Sequence, residues 1–170
     1  LFGCTVQPKL EILASIAAQN PNNSWDVLTV PTSTGVVYAV VQLDPVSATD
    51  PVIAIKTFGD NGSVGQLVLF KESDLGGRIT LSAGVATSTH LYLYGRDQNQ
   101  QKIVILDFPV QGQAPQAPSR TSLDHPCGSD SLKKAVFTLT GGPMDAKYAV
   151  TCSDATQANS SLHVCQASAC

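Results

Sequence analysis

Residues 91–108, LYLYGRDQNQQKIVILDF, contain two apolar runs that flank a short polar segment. Both runs, 91–94 and 103–108, are rich in the aromatic and β-branched residues that strands favour. The segment between them holds Asp97 and several amides, which is typical of a turn. The stretch therefore predicts a two-stranded hairpin whose strands are apolar on both faces.

Similar apolar runs continue along the chain after residue 25, separated by clusters of Gly, Pro, Asp and Asn. Runs of this length and composition predict β-strands. The predicted strands are 36–41, 52–58, 66–70, 78–83, 91–94, 103–108, 135–140, 148–152 and 162–165. Eleven Asp against two Glu agree with this, because Asp favours turns and Glu favours helices. The 170 residues are predicted to form one all-β domain.

The strands follow a repeating order. Three tyrosines, Tyr38, Tyr92 and Tyr148, stand 54 and 56 residues apart, each ten or eleven residues after the start of a short apolar triplet. Each tyrosine precedes an Asp in a predicted turn and then a second apolar strand; these residues are Asp44, Asp97 and Asp154. Periods of this size are typical of repeat architectures. We expect three tandem hairpin units, at approximately 25–77, 78–131 and 132–170.

A unit of this kind, with strands as apolar as those of 91–108, resembles the blade of a β-propeller over residues 25–166. Blades stack sheet on sheet, so the resemblance implies strands that are buried on both faces. Propellers typically contain four to eight blades, and three units therefore imply completion by a second chain or by more of a longer one. A β-trefoil, which closes with three repeats, and a two-sheet β-sandwich are the alternatives.

Two stretches are predicted to stand outside the strands. The N-terminal segment, 1–24, contains apolar residues at three- and four-residue spacing that predict a helix over 9–19, ended by Asn20 and Pro21. Residues 111–119, QGQAPQAPS, predict an exposed excursion between the second and third units without strand character, continued by a polar loop as far as residue 131.

Charge and hydropathy argue against nucleic-acid binding and against a transmembrane segment. Charged residues are 14% of the chain and the net charge is −3, with Lys133 and Lys134 as the adjacent basic pair. A surface of this kind offers no basic stripe for a phosphate backbone, so nucleic acid is not expected as a partner. No run reaches the roughly 18 apolar residues that a membrane-spanning helix needs, so no transmembrane segment is expected.

Five cysteines show neither a CxxC motif nor the Cys/His spacing of a zinc site, so disulfides are expected. They are Cys4, Cys127, Cys152, Cys165 and Cys170. Spacing leaves their connectivity open, although Cys152 and Cys165 flank one hairpin loop and are the favoured pair. Three Asn-x-Ser sequons, at Asn22, Asn61 and Asn159, are candidate glycosylation sites. Together they favour an oxidising secretory route and an extracellular location.

Catalytic motifs are absent from the sequence. The three histidines, His90, His125 and His163, lie in no HExxH or Cys/His array, and no Gly-x-Ser-x-Gly, phosphate-binding or EF-hand motif occurs. The two Glu, Glu11 and Glu72, lie in the predicted helix and at a strand end, where they form no glycosidase pair. The chain is predicted not to be an enzyme, and no cofactor or metal site is expected.

A low-charge, hydroxyl-rich, disulfide-bonded repeat protein is expected to act in extracellular interaction or assembly. An incomplete number of repeats favours self-association into a homo-oligomer or completion by a protein partner. The alternative is a lectin-like function, with glycans bound once per repeat. Aromatic and Asp residues at equivalent positions fit that alternative.

Overall fold

The structure, a computed structural model, describes residues 26–43, 45, 47–59, 62–112, 114–127, 131–138, 147–154, 156 and 159–166. Strands make up 64% of these residues and helix 3%, which confirms the all-β prediction. Several predictions concern residues outside this set: the helix at 9–19, Asp44, the cysteines Cys4 and Cys170, and the sequons at Asn22 and Asn61. Within the described part of the chain, no helix is long and apolar enough to cross a membrane.

The strands form three antiparallel sheets in chain order, and one of the sheets curls into a half-barrel. The first sheet contains β1 (Asp26–Pro31), β2 (Val37–Gln42), β3 (Pro51–Phe58) and β4 (Val68–Lys71). Each strand pairs with the next, and Val30 lies opposite Tyr38. A single helical turn, α1 (Glu72–Leu75), follows and ends at Gly76, whose φ of 68° is in the left-handed region that glycine favours.

The second sheet contains β5 (Ile79–Ala86), β6 (His90–Asp97), β7 (Ile103–Gln111) and β9 (Ser119–Leu123), while β8 (Ala114–Pro115) pairs with the end of β7. Two of these strands lie in the segment predicted to be loop, so that prediction is wrong. The sequence of β9, SRTSL, has no apolar run because β9 is an edge strand. Its one large aliphatic side chain, Leu123, packs on the core.

The third sheet contains β10 (Ser131–Thr138), β11 (Lys147–Ser153) and β12 (Ser160–Gln166). All nine strands predicted from apolar runs thus occur, with ends shifted by a few residues. Tyr38, Tyr92 and Tyr148 each lie in the second strand of a sheet.

Two hydrophobic cores join the three sheets. The first core lies between the first and second sheets, and the second core lies between the second and third. Alternate residues of the second sheet face opposite ways: Leu93 and Val104 enter the first core, whereas Tyr94 and Ile105 enter the second. This burial on both sides explains why the two runs 91–94 and 103–106 are continuously apolar. The first strands of consecutive sheets are also neighbours, because β5 contacts both β1 and β10.

Close approach of β1 to β5 depends on Gly84. A Cβ at this position would lie 2.6 Å from Val30 Cγ2 and 3.0 Å from Leu93 Cδ2, and both of those residues are fully buried. We expect Gly84→Ala to lower the free energy of unfolding by about 1–3 kcal/mol, the usual cost of overpacking a core. Urea denaturation measures the change, with Ser82→Ala on the exposed part of β5 as the control. Equal stability of both variants would contradict this packing.

Candidate interaction surface

The two faces of the third sheet differ sharply in burial. One face packs on the second sheet and carries Phe137, Tyr148 and Val150, all buried in the second core. The opposite face carries Val136, Leu162 and Val164, which are 52%, 68% and 75% exposed. Large contiguous apolar patches on soluble proteins mark interaction sites, so this face is a candidate interaction surface.

Strand register brings these side chains together. Val136 lies opposite Ala149, which lies opposite Val164, so the three form one row across the sheet. In the next row Lys134 lies opposite Thr151, which lies opposite Leu162. Strand spacing places these positions within roughly 10 Å across the strands and 7 Å along them. We call Val136, Ala149, Thr151, Leu162 and Val164 the outer patch; none of the five is charged.

The first sheet does not offer an equivalent surface. On its face away from the second sheet, Ala54 is fully buried and Val41 is 8% exposed, although Leu69 in the same cross-strand row is 49% exposed. Among the described residues, five large hydrophobic side chains are exposed, and three of them belong to the outer patch. The open apolar surface in this part of the chain is therefore concentrated on the third sheet.

A disulfide ties the third sheet to the loop that follows β9. It joins Cys127 to Cys152 in β11, with a Cα–Cα distance of 5.4 Å. The favoured pair, Cys152 with Cys165, is therefore wrong, although Cys165 is also disulfide-bonded. Register gives the reason: Cys152 lies opposite Ser161, and Cys165 lies opposite Tyr148, about 13 Å further along the sheet. Flanking the same hairpin loop does not bring two cysteines together.

A buried ion pair between Asp97 and Arg120 lies within the second sheet, beside the end of α1. Asp97, at the end of β6, is 1% exposed and accepts hydrogen bonds from the Arg120 guanidinium and from the backbone N–H groups of Asn99 and Gln100. Arg120, in β9, also donates to the carbonyls of Leu75 and Gly76, at 3.2 and 2.6 Å. These contacts give the Asp97 carboxylate a structural function as the acceptor that organises the β6–β7 turn.

The Asp97 carboxylate makes the free energy of unfolding depend on pH. Burial alone would raise its pKa, but the N–H groups of Gln100 and Asn99 and the Arg120 guanidinium outweigh burial, and the pKa falls below its usual 3.8. The unfolded chain then binds the proton more readily, so stability is complete above about pH 4 and declines as the pH falls below it. In denaturation from pH 2 to 7, we expect Asp97→Asn to flatten this decline. Asp124→Asn, at a 92% exposed side chain, is the control that leaves it unchanged.

A partly exposed aromatic cluster lies at the start of β6. The rings of His90 and Tyr92 stack at 5.7 Å and 11°. Across the sheet from Tyr92, the Asp107 carboxylate has Oδ1 at 3.9 Å from His90 Nε2, without a hydrogen-bond partner. Burial and the Asp107 charge both raise the pKa of Tyr92. Flat rings beside a carboxylate could bind a small polar ligand.

The other candidate residues are not brought together. His125 lies in the loop before Cys127 and accepts a hydrogen bond from its N–H, and His163 lies in β12 beside Ser161. In the described ranges, no three His, Cys, Asp or Glu side chains form a group that could hold a metal ion. Asn159 is exposed in the β11–β12 turn, where its Nδ2 donates to Asp154.

Sequence reasoning missed both the outer patch and Arg120. The patch left a signal in β12, where Leu162 and Val164 alternate with Ser161 and His163, but the alternation does not say which face packs on the second sheet. Arg120 left none, because its partners Asp97 and Gly76 are 23 and 44 residues away. Compared with models of known protein families and with curated proteins, the chain has no match.

Proposed function

We propose that the protein is a secreted, non-catalytic interaction module whose third sheet is covered by a further β-sheet. The outer patch is the observation that carries this proposal. The Cys127–Cys152 disulfide and the exposed sequon at Asn159 support an extracellular setting, because disulfides persist in oxidising compartments.

The order of the sheets supports a blade-like stack as the architecture. Each sheet pairs strands that follow one another in the chain, and each shares a core with the next sheet. The first strands β1, β5 and β10 are neighbours, as they would be around a propeller axis. In such a stack the second sheet is covered on both faces and the third is covered on one. The outer patch is then the place where the next sheet would pack.

Burial of the outer patch would be favourable. Full burial of a Val or Leu side chain contributes roughly 1.5–3 kcal/mol. Because Val136, Leu162 and Val164 are half to three-quarters exposed, covering them would contribute about 1–2 kcal/mol each. The half-buried residues between them, Ala149 and Thr151, are small and uncharged, so they do not obstruct an apposed sheet.

Hydroxyl-radical footprinting of the natively secreted protein tests the proposal. We expect Leu162 and Val164 to be oxidised several-fold more slowly in the unfractionated secreted material than in dilute purified protein, because the covering sheet excludes the radical. Leu69, on the first sheet, is the internal reference and should react equally in both samples. Equal oxidation of Leu162 in the two samples would contradict an interaction at this face.

Carbohydrate binding is the second candidate, and the cluster of His90, Tyr92 and Asp107 favours it, because sugars stack on exposed rings and bond to carboxylates. Three equivalent sites are not supported, since Tyr38 and Tyr148 are 2% exposed. Binding on a glycan array that is lost in Tyr92→Ala and kept in Val164→Thr would support a single sugar site. An array without signal would count against it.

A further inference from the structure

We propose that residues 1–6 of this chain add to the outer edge of β12 as a fourth strand of the third sheet, held there by a disulfide between Cys4 and Cys165. The binding surface is the backbone edge of β12 (Ser160–Gln166), and its occupant is an extended segment of the same chain. The inference concerns this edge and does not depend on what covers the outer patch.

The third sheet has fewer strands than its neighbours. In the described part of the chain, the first sheet has four strands, and the second pairs β8 and β9 beyond its third strand, whereas the third sheet stops at β12. An edge strand presents a row of backbone N–H and C=O groups that pair readily with an added strand. The seven residues of β12 include no Lys and no Pro, the residues that commonly block such pairing.

The bonding of Cys165 is the second observation. Cys165 lies in β12 and is disulfide-bonded, whereas the other two cysteines of the described ranges, Cys127 and Cys152, are bonded to each other. The chain contains five cysteines, so within one chain the partner of Cys165 is Cys4 or Cys170. Two bonded cysteines have Cα atoms about 4.4–6.8 Å apart, and that distance discriminates between the two candidates.

The distance requirement favours Cys4 over Cys170. Cys170 follows Cys165 by five residues, which span roughly 17 Å when extended, so a bond between the two needs a tight reversal directly after β12. Of the residues that turns favour, the intervening QASA contains one Ser and no Gly, Pro, Asn or Asp. Cys4 on a neighbouring strand needs no turn, because directly opposite residues of antiparallel strands lie about 4.5–5.5 Å apart.

The sequence of residues 1–6, LFGCTV, suits this position. Phe2, Cys4 and Val6 recur at the two-residue period that places side chains on one face of a strand. Cys165 is half-buried and packs against the second core. A strand that pairs Cys4 with Cys165 therefore carries Phe2 and Val6 on the face that points towards that core.

The connecting segment is long enough. β1 begins at Asp26 in the first sheet, so residues 7–25 would link the added strand to it. With the helix predicted over 9–19, these residues can span roughly 40 Å. Stacked sheets are about 10 Å apart, which puts the first and third sheets about 20 Å apart. Pro8, which has no N–H to donate, ends the pairing with β12.

Peptide mapping without reduction, after enzymatic deglycosylation, tests the linkage. Trypsin with Asp-N separates residues 1–9 from residues 154–170, and we expect these two peptides to be joined. The joined pair should persist in Cys170→Ser and be lost in Cys165→Ser, a matched change in the same peptide. A parent peptide 154–170 closed on itself would overturn the inference. A non-reduced species of twice the 17.8 kDa of one chain would also overturn it, because the strand would then come from a second copy.

Hydrogen exchange tests the added strand itself. Every second amide of an edge strand points away from its neighbour, so β12 should contain protected amides that pairing with β11 does not explain. We expect deletion of residues 1–6 to quicken their exchange several-fold, Cys4→Ser to do so to a smaller extent, and Cys170→Ser to leave it unchanged. The β2 amides are the internal reference. Unchanged exchange in the deletion variant would show that these residues form no strand on β12.

Discussion

Replacing Arg120 with methionine is expected to lower the free energy of unfolding by about 3–5 kcal/mol, the usual cost of removing one partner from a buried ion pair. The variant would leave the Asp97 carboxylate, which is 1% exposed, without its guanidinium partner. It would also remove the two hydrogen bonds that Arg120 donates to the end of α1. Urea denaturation at pH 7 measures the loss.

Two further variants identify the buried charge as the cause. Asp97→Asn combined with Arg120→Met should be more stable than Arg120→Met alone, because the neutral amide still accepts from the backbone and leaves no charge buried. Lys102→Met removes a partner of the exposed Asp124, 3.1 Å away, and should cost less than about 1 kcal/mol. A loss from Arg120→Met as small as that from Lys102→Met would show that Asp97 does not depend on its partner.

Removing the disulfide, by Cys127→Ala with Cys152→Ala, is expected to cost about 3 kcal/mol. The bond closes a loop with a sequence separation of 25 residues, and opening it increases the conformational entropy of the unfolded chain. Both cysteines are buried. Because the alanine side chain is apolar, the substitutions leave no polar group unsatisfied in the core. Denaturation at pH 7 gives the change in free energy, and peptide mapping of the non-reduced parent verifies the linkage.

The loss of local stability should be greatest in the third sheet, which contains Cys152. Hydrogen exchange in the double variant is expected to quicken more in β11 than in β2, because Cys152 lies in the third sheet and the first sheet is held by the first core. The β2 amides are the internal control. Uniform acceleration of both strands would show that the disulfide stabilises the domain only as a whole.

The sequence predicted strands well and sheet-to-sheet relations poorly. Strand prediction succeeded because burial on both faces makes runs such as 52–55, 91–94 and 103–106 continuously apolar. It failed for β9, whose polar edge-strand sequence looks like a loop. Disulfide pairing depends on register, which placed Cys152 opposite Ser161 and far from Cys165. The outer patch required knowing which face of β12 meets the second sheet, and alternation alone does not decide that.

The chain-order pairing of strands has a consequence for synthesis. Within each sheet hydrogen bonds join strands that are near in sequence, so a nascent chain can complete one sheet soon after its last strand leaves the ribosome. The first two sheets can then close the first core before β10 is translated. Of the three sheets, the one with the open apolar face emerges last. That order shortens the time for which the outer patch is exposed on an unfinished polypeptide. Chaperones would otherwise have to shield it during that time.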